Sequence, residues 1–252
     1  SFSAVPAGTY NVYISKASNA STTMVDSGVD VIVTSSPNAT VNYYTLTVKG
    51  TNMSTLKVND AAVTNGSTVI VAKSVAESIT GTTSTGYTFS SWTVTTNGSL
   101  GSSSTTLANN VTLTGAATLT GVATANTYTV AYASGTNACT VSGSTNATYN
   151  TEFNKAAPTC DGYTFNGWTM TNGNTDTAKY GMASGSATTT WTNGNKGTYF
   201  KNLTATKGAT VTLTANWTKN DYNLTYNYNP GTVTLTGSEY LDTGYKIDWS
   251  KD

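Results

Sequence analysis

The chain has 252 residues, and 55 Thr, 26 Ser and 26 Asn supply short polar side chains that favour strands and turns over helix interiors. It carries 12 Lys and 12 acidic residues but no His and no Arg, so its formal net charge is zero. This composition excludes imidazole catalysis, His-ligated metals, bidentate anion recognition and a basic surface for nucleic acid. We therefore expect no enzyme, no cofactor, no metal and no nucleic-acid partner.

The first 43 residues predict a short β module. Gly8–Ile14, Val29–Val33 and Ala39–Tyr43 each have the composition of a strand. No stretch of the chain approaches the roughly 20 apolar residues that a membrane helix needs, so we expect no direct membrane insertion. No charged segment precedes an apolar core at Ser1, and we expect an export signal and an anchor to lie outside this sequence.

Residues 44–126 predict a first repeat module. Its opening segment, Tyr44–Val48, alternates apolar and polar residues with period two, as a half-buried strand does. The motif Gly86–Trp92 (Gly-Tyr-Thr-Phe-Ser-Ser-Trp) follows, and a segment that begins at Leu119 closes the module. This order of segments predicts a small domain built from strands.

Residues 127–221 predict a second module, because the same order of segments recurs. Tyr128–Tyr132 repeats the opening strand, and Gly162–Trp168 matches Gly86–Trp92 at Gly, Tyr, Thr, Phe and Trp with identical spacing. Aromatic residues that recur at fixed positions in successive modules favour a place in each core over a ligand site. The predicted core residues are Tyr87, Phe89, Trp92, Tyr163, Phe165 and Trp168.

The spacing inside the second motif predicts a β-bulge. Tyr163 and Phe165 share one face of a strand, whereas Trp168 has the opposite parity. An inserted residue between Phe165 and Trp168 returns all three to one face. A tight turn at Asn166-Gly167 is the alternative, but Ser90-Ser91 of the sister motif is a poor turn pair.

Two local features constrain the loops. Asn-Gly pairs begin at residues 65, 97, 166, 172 and 193, and such pairs predict two-residue type I′ turns. Cys139 and Cys160 are the only cysteines, and an extracellular setting favours a disulfide that closes a loop of about 22 residues. Two free buried thiols in a reducing compartment are the alternative.

Other side chains are candidates for ligand or cross-link sites. Trp191 lies outside the repeated motifs, so we expect it to be the most exposed aromatic and the candidate ligand-facing one. Glu152 is the candidate acid for a Lys-to-Asn isopeptide bond. The segment Asn172–Asp176 resembles a calcium loop without its closing Glu and predicts a turn. The close acid pairs, Asp26 with Asp30 and Asp242 with Asp248, are interpreted as solvated charges.

Residues 222–252 predict the start of a further, truncated β module. Its opening strand is the alternating segment Tyr222–Tyr228. The later Gly244–Trp249 segment fits the repeated motif poorly, because Trp249 follows Gly244 by five residues instead of six.

The repeated segments resemble the Listeria–Bacteroides repeat, also known as the B-repeat of internalin-type bacterial surface proteins. The resemblance rests on Tyr-Thr-Val-x-Tyr, Gly-Tyr-Thr-Phe-x-Gly-Trp and Leu-Thr-Ala-x-Trp between Tyr128 and Trp217, with a looser match from Tyr44 to Val122. It implies β-grasp-like modules used in tandem as a stalk or adhesive segment. The unit here is longer than usual, with an insertion from Asn172 to Gly208.

The C-terminal residues 239–252 resemble, over the six residues from Glu239 to Gly244, the opening strand of a concanavalin-like carbohydrate-binding domain. This resemblance implies that a lectin-type head follows in the parent protein.

Together these features predict an all-β to β-grasp-like fold, with small modules in an extended tandem arrangement at an extracellular, cell-surface or secreted location. The expected function is a non-catalytic stalk or adhesive segment that spaces a binding head. The alternative is a carbohydrate-binding module or an accessory region of a secreted glycan-active protein. Expected partners are a glycan or a surface protein of a host or neighbouring cell, together with lateral self-association through strand edges.

Overall fold

A computed structural model of the chain describes the backbone of residues 8–15, 24–33, 43–221, 223–228 and 231–236, and the side chains of residues 43–221. Every regular element in these ranges is a strand. The predicted all-β class is therefore confirmed, in keeping with a sequence rich in Thr, Val and Tyr. Within the same ranges there is no helix with the length and apolar character needed to cross a membrane.

The chain divides into two compact units, Ser1–Thr124 (unit 1) and Ala125–Asp252 (unit 2). The division lies two residues before the border predicted between residues 126 and 127. The other predicted borders, after residues 43 and 221, remain predictions. The strands before Thr127 are β1 (Gly8–Ser15), β2 (Met24–Val33), β3 (Tyr43–Thr51), β4 (Met53–Val58), β5 (Ala61–Ala62), β6 (Thr68–Ala72), β7 (Ala76–Thr83), β8 (Tyr87–Val94), β9 (Gly98–Leu100), β10 (Asn109–Leu113) and β11 (Ala117–Ala125).

The second part of the chain continues the same architecture. Its strands are β12 (Thr127–Ala133), β13 (Ser144–Thr148), β14 (Phe153–Asn154), β15 (Tyr163–Thr171), β16 (Lys179–Gly181), β17 (Thr189–Thr190), β18 (Tyr199–Lys201), β19 (Thr210–Lys219), β20 (Asn223–Tyr228) and β21 (Gly231–Thr236). At the two ends, β1 pairs with β2 and β20 pairs with β21, each as an antiparallel hairpin. The predicted segments at 39–42 and 239–252 lie outside the described residues.

Both units contain a four-stranded mixed sheet with the same strand order. The order is β6-β3-β11-β8 in unit 1 and β13-β12-β19-β15 in unit 2. In each sheet the first and last strands of the module are parallel neighbours at the centre. The strands that open the modules, β3 and β12, and the strands that carry the Gly-Tyr-Thr-Phe motif, β8 and β15, therefore hold corresponding places.

A second sheet covers the inner face of each four-stranded sheet. Its order is β5-β4-β7-β10-β9 in unit 1 and β14-β18-β16-β17 in unit 2. Buried side chains from both sheets form one core in each unit. The segment from Asn172 to Gly208, which the resemblance predicts to be an insertion, supplies β16, β17 and β18 of this second sheet. It is part of the fold and not an appendage, because its apolar residues close the core.

The predicted bulge is present in β15. Phe165 pairs with Trp217 and Trp168 pairs with Ala215, so three steps on β15 face two steps on β19. Gly167 takes the positive φ of 98° at this point. The extra residue brings Trp168 to the core face, as its parity required.

The turn prediction for the Asn-Gly pairs is wrong, because a type I′ turn needs positive φ at both central residues. Among the five pairs, only one residue has positive φ at 65–66, 166–167, 172–173 and 193–194, and neither has at 97–98. The described residues place such a turn at Asn59-Asp60, with φ of 48° and 61°, between the paired residues Val58 and Ala61.

Candidate functional site

Trp92 fills the centre of the unit 1 core. Its side chain is 1% exposed, its ring lies 5.4 Å from that of Phe89, and its Nε1 donates to Leu107 O at 2.9 Å. Its backbone N donates to Ser104 O, which fastens the loop after β9 to this strand. Trp92 therefore holds together the sheet, the loop and the core, which is a structural role.

Trp168 holds the corresponding position in unit 2. It is fully buried, with ring centroids 5.2 Å from Phe165 and 6.0 Å from Tyr132. Its backbone N donates to Asn195 O, and its own carbonyl accepts from Gly194 N, so the insertion is fastened to β15. Its Nε1 differs from that of Trp92, because it has no hydrogen-bond partner among the described residues.

The other repeated aromatics lie nearer the surface. Phe89 and Phe165 are partly buried and pack against their cores. Tyr87 and Tyr163 are also partly exposed, and neither belongs to the buried clusters. Both tyrosines begin their strands, and strand ends lie at the margin of a sheet. The prediction of a common core position thus applies to the tryptophans, applies in part to the phenylalanines that pack against the cores, and needs correction for the tyrosines.

Trp191 is not exposed, and the expectation of a ligand-facing aromatic has to be corrected. It is 4% exposed and packs between Tyr180 and Phe200, with ring centroids 6.3 and 5.9 Å away. Its Nε1 donates to Asn193 Oδ1 at 3.0 Å, and the same oxygen accepts from Met170 N at 3.1 Å. Trp191 is buried because the insertion folds over the core, so its face cannot stack on a sugar.

Cys139 and Cys160 form the predicted disulfide, with their Cα atoms 5.6 Å apart. Cys139 lies in the loop between β12 and β13 and is 4% exposed, whereas Cys160 lies before β15 and is partly exposed. Nearby, Trp217 Nε1 donates to Ser134 O at 2.6 Å. The bond and the indole thus fix the same loop to strands that are distant in the sequence.

Both glutamates within residues 43–221 bind backbone amides. Glu152, the candidate acid for an isopeptide bond, accepts from Gly185 N at 2.7 Å and from Ala187 N at 2.9 Å. Lysine is not among these partners. Glu77, which the sequence analysis missed, is 4% exposed and accepts from Ala72 N at 3.0 Å and from Asn59 Nδ2. The alternation along β7 could have indicated its burial, because Glu77 lies two residues before the buried Ile79 and therefore on the same face of the strand.

Two tyrosines of β12 titrate abnormally because they are buried. Burial raises the pKa of Tyr128 to about 12, although its hydroxyl oxygen accepts from Leu203 N at 3.2 Å, which acts in the opposite direction. Burial also raises the pKa of Tyr132, whose hydroxyl shares a hydrogen bond of 2.7 Å with Thr145 Oγ1. Lys155 Nζ lies 4.2 Å from the Tyr132 ring centroid. These contacts stabilise the core and present no reactive group.

The described surface offers little that could hold a ligand. A shallow, open depression of about 250 Å³ is lined by small polar residues of β12 and β13, together with Tyr128 and Gly208. Tyr128 is 2% exposed, so its ring is not offered to a ligand there. Tyr43, at 51%, is the large exposed aromatic of residues 43–221. In the part of the chain that the structure describes, no three His, Cys, Asp or Glu side chains come together to hold a metal.

Comparisons of the chain with protein-family models, with curated proteins and with solved structures found no match.

Proposed function

We propose that this chain is a non-catalytic stalk or adhesive segment of a modular bacterial surface protein, which spaces a binding head from the cell. One observation carries the proposal: the two units repeat the same sheet order, and the tryptophans that they share, Trp92 and Trp168, lie in the cores. A module that repeats its folding core without repeating an exposed reactive group is suited to supply length and rigidity.

An extracellular location is supported by the Cys139–Cys160 disulfide, since such bonds persist in oxidising compartments. The low content of charged residues and the abundance of Thr, Ser and Asn are also compatible with a protein exposed on a cell surface. A non-enzymatic role is supported by the carboxylates of Glu77 and Glu152, which are already engaged by the protein's own amides.

The carbohydrate-binding alternative has less support. Glycan sites need an aromatic face open to solvent, and Trp191, its candidate residue, is buried. The exposed ring of Tyr43 is what remains for that alternative within residues 43–221. The partners of the stalk, whether a glycan, a surface protein of another cell or a neighbouring copy of the chain, remain proposals.

The spacer function is tested by surface display. The full chain is placed between an outer-surface anchor and a nanobody head, and capture of antigen-coated beads is compared with a direct fusion of head to anchor. We expect the chain to increase capture, because it lifts the head through the layer of surface polymers. The matched control keeps the length but removes both cores through Trp92→Ala and Trp168→Ala, and it should reduce the gain. Equal capture with and without the folded chain would contradict the proposal.

A glycan array tests the alternative with the same chain. Specific binding to one glycan class that is lost in Tyr43→Ala would favour a carbohydrate-binding module over a spacer. Absence of binding, together with increased bead capture, would support the spacer.

A further inference from the structure

Within each unit, the first and last strands of the repeated module, β3 and β11 in unit 1 and β12 and β19 in unit 2, pair with each other directly. In unit 2, β12 and β19 are parallel and in register from Thr129 opposite Thr210 to Ala133 opposite Thr214. In unit 1, β3 and β11 are parallel over Leu46 to Thr51. The chain therefore enters and leaves each module, from β3 to β11 and from β12 to β19, through two neighbouring strands at the centre of one sheet.

This parallel pairing determines how a unit responds to a force that pulls along the chain. Because the two strands are parallel, the N-terminal end of β12 and the C-terminal end of β19 lie at opposite ends of their ladder. A pull on these ends slides one strand along the other and loads all of the backbone hydrogen bonds together, such as that from Thr129 N to Ala209 O at 2.9 Å. Separation then requires several bonds to break at once instead of one after another.

The bonded pair is also protected from water. Each central strand has a further strand on its other side, and the inward side chains of Val130, Val211 and Leu213 are fully buried. Leu46 and Leu119 are equally buried in the unit 1 pair. Water can replace a strained backbone hydrogen bond only where it can reach that bond, so burial slows its loss.

The disulfide lies outside the path of the load. Cys139 and Cys160 both lie between β12 and β19 in the sequence, so their bond cannot hold these two strands together. After the strands separate, the disulfide prevents the residues between Cys139 and Cys160 from being extended.

From this geometry we propose a mechanical function: the module from β3 to β11 and the module from β12 to β19 each resist tension between their two ends through their central parallel strand pair. The inference deepens the proposed stalk function and rests on it for its biological meaning. A spacer that carries a head bound to another surface is pulled along its length. The pairing of first with last strand keeps such a spacer folded under that pull.

The test is single-molecule force spectroscopy on the full chain in two tethering geometries. In the first, the chain is held by its two ends, so both units are sheared. In the second, the C-terminal tether is moved to a clickable side chain that replaces the exposed Lys207, just before β19. Unit 2 is then pulled from the same end of β12 and β19, and its bonds open one after another. Unit 1 is loaded as before and serves as the internal reference.

We expect the rupture force of unit 2 to fall clearly in the second geometry while that of unit 1 stays unchanged. Reducing agent identifies the unfolding event of unit 2. When the disulfide is reduced, the 21-residue separation between the cysteines can also extend, so the unfolded length of unit 2 increases by about 70 Å at roughly 3.3–3.6 Å per residue. Equal unit 2 forces in the two geometries would overturn the inference, as would extension of unit 2 without a distinct rupture event when the chain is held by its ends. Neither result would decide the spacer proposal, because the bead-capture test that examines it does not depend on rupture force.

Discussion

Gly121 lies directly against the indole ring of Trp92: a β-carbon added to Gly121 would stand 2.5 Å from Cζ3 of the ring. The aligned position in unit 2 is Ala215, which pairs with Trp168 and is fully buried. The two units thus have a tryptophan at the same place, but the neighbouring residue on the closing strand is Gly121 in unit 1 and Ala215 in unit 2.

Gly121→Ala should destabilise unit 1. The added methyl group has to displace a ring that is held by its bond to Leu107 O, and overpacking of this kind costs about 1–3 kcal/mol. Hydrogen exchange followed by mass spectrometry reports each unit separately, and protection should fall in unit 1 alone. The control is Thr120→Ala on the opposite face of β11, expected within about 0.5 kcal/mol of the parent. Unchanged protection of unit 1 in Gly121→Ala would contradict the observed packing.

Reduction of the disulfide should destabilise unit 2 alone. Removing a native bond from a small domain costs about 2–5 kcal/mol, and a 21-residue separation corresponds to roughly 3 kcal/mol in the chain-entropy model. Unit 1 has no cysteine, so its melting transition should not move. Calorimetry with and without reducing agent measures both transitions. Two free thiols in the unreduced protein, or a shift of both transitions, would refute this prediction.

The sequence predicted those features that depend on neighbouring residues. Period-two alternation located β3 and β12, the strands that open the modules, and the parity of Trp168 required the bulge that β15 contains. The disulfide followed from the number of cysteines and the expected compartment. Each of these inferences uses short-range geometry, which a single sequence reports well.

The second sheet could not be predicted in the same way. Its unit 2 strands are two or three residues long, too short for alternation to be recognised. Trp191 is buried only because these short strands pair and close over β15, a long-range event with no local signal. The Asn-Gly pairs also misled, because none of the five has positive φ at both positions.

High pH should destabilise unit 2 through Tyr128. Its pKa is about 12 in the folded protein against 10 in the unfolded chain, so the folded state holds the proton more tightly. This stabilisation is fully present below pH 10 and is lost as the pH rises through 12; two pKa units correspond to about 3 kcal/mol. The raised pKa of Tyr132 acts in the same direction. Urea unfolding between pH 9 and 12.5 measures the loss.

Tyr128→Phe is the matched variant for this titration. It leaves Leu203 N without its acceptor, so unit 2 should lose about 1–3 kcal/mol at neutral pH. Its stability should then fall less steeply between pH 10 and 12, because one titrating group is gone. Tyr43→Phe, at an exposed site of unit 1, should leave the unit 2 curve unchanged. Parallel curves for Tyr128→Phe and the parent would rule out Tyr128 as the source of the pH dependence.

Trp191→Ala should destabilise unit 2 by about 3–5 kcal/mol, because it empties the space between Tyr180 and Phe200 and leaves a cavity in the core. Met182→Ala is the matched control, since Met182 belongs to the same insertion but is 65% exposed and should change stability by less than about 0.5 kcal/mol. Urea unfolding, monitored through hydrogen exchange of the unit 2 amides, distinguishes the two variants. Near-parent stability of Trp191→Ala would mean that the ring lies at the surface, and it would return Trp191 to consideration as a ligand-facing residue.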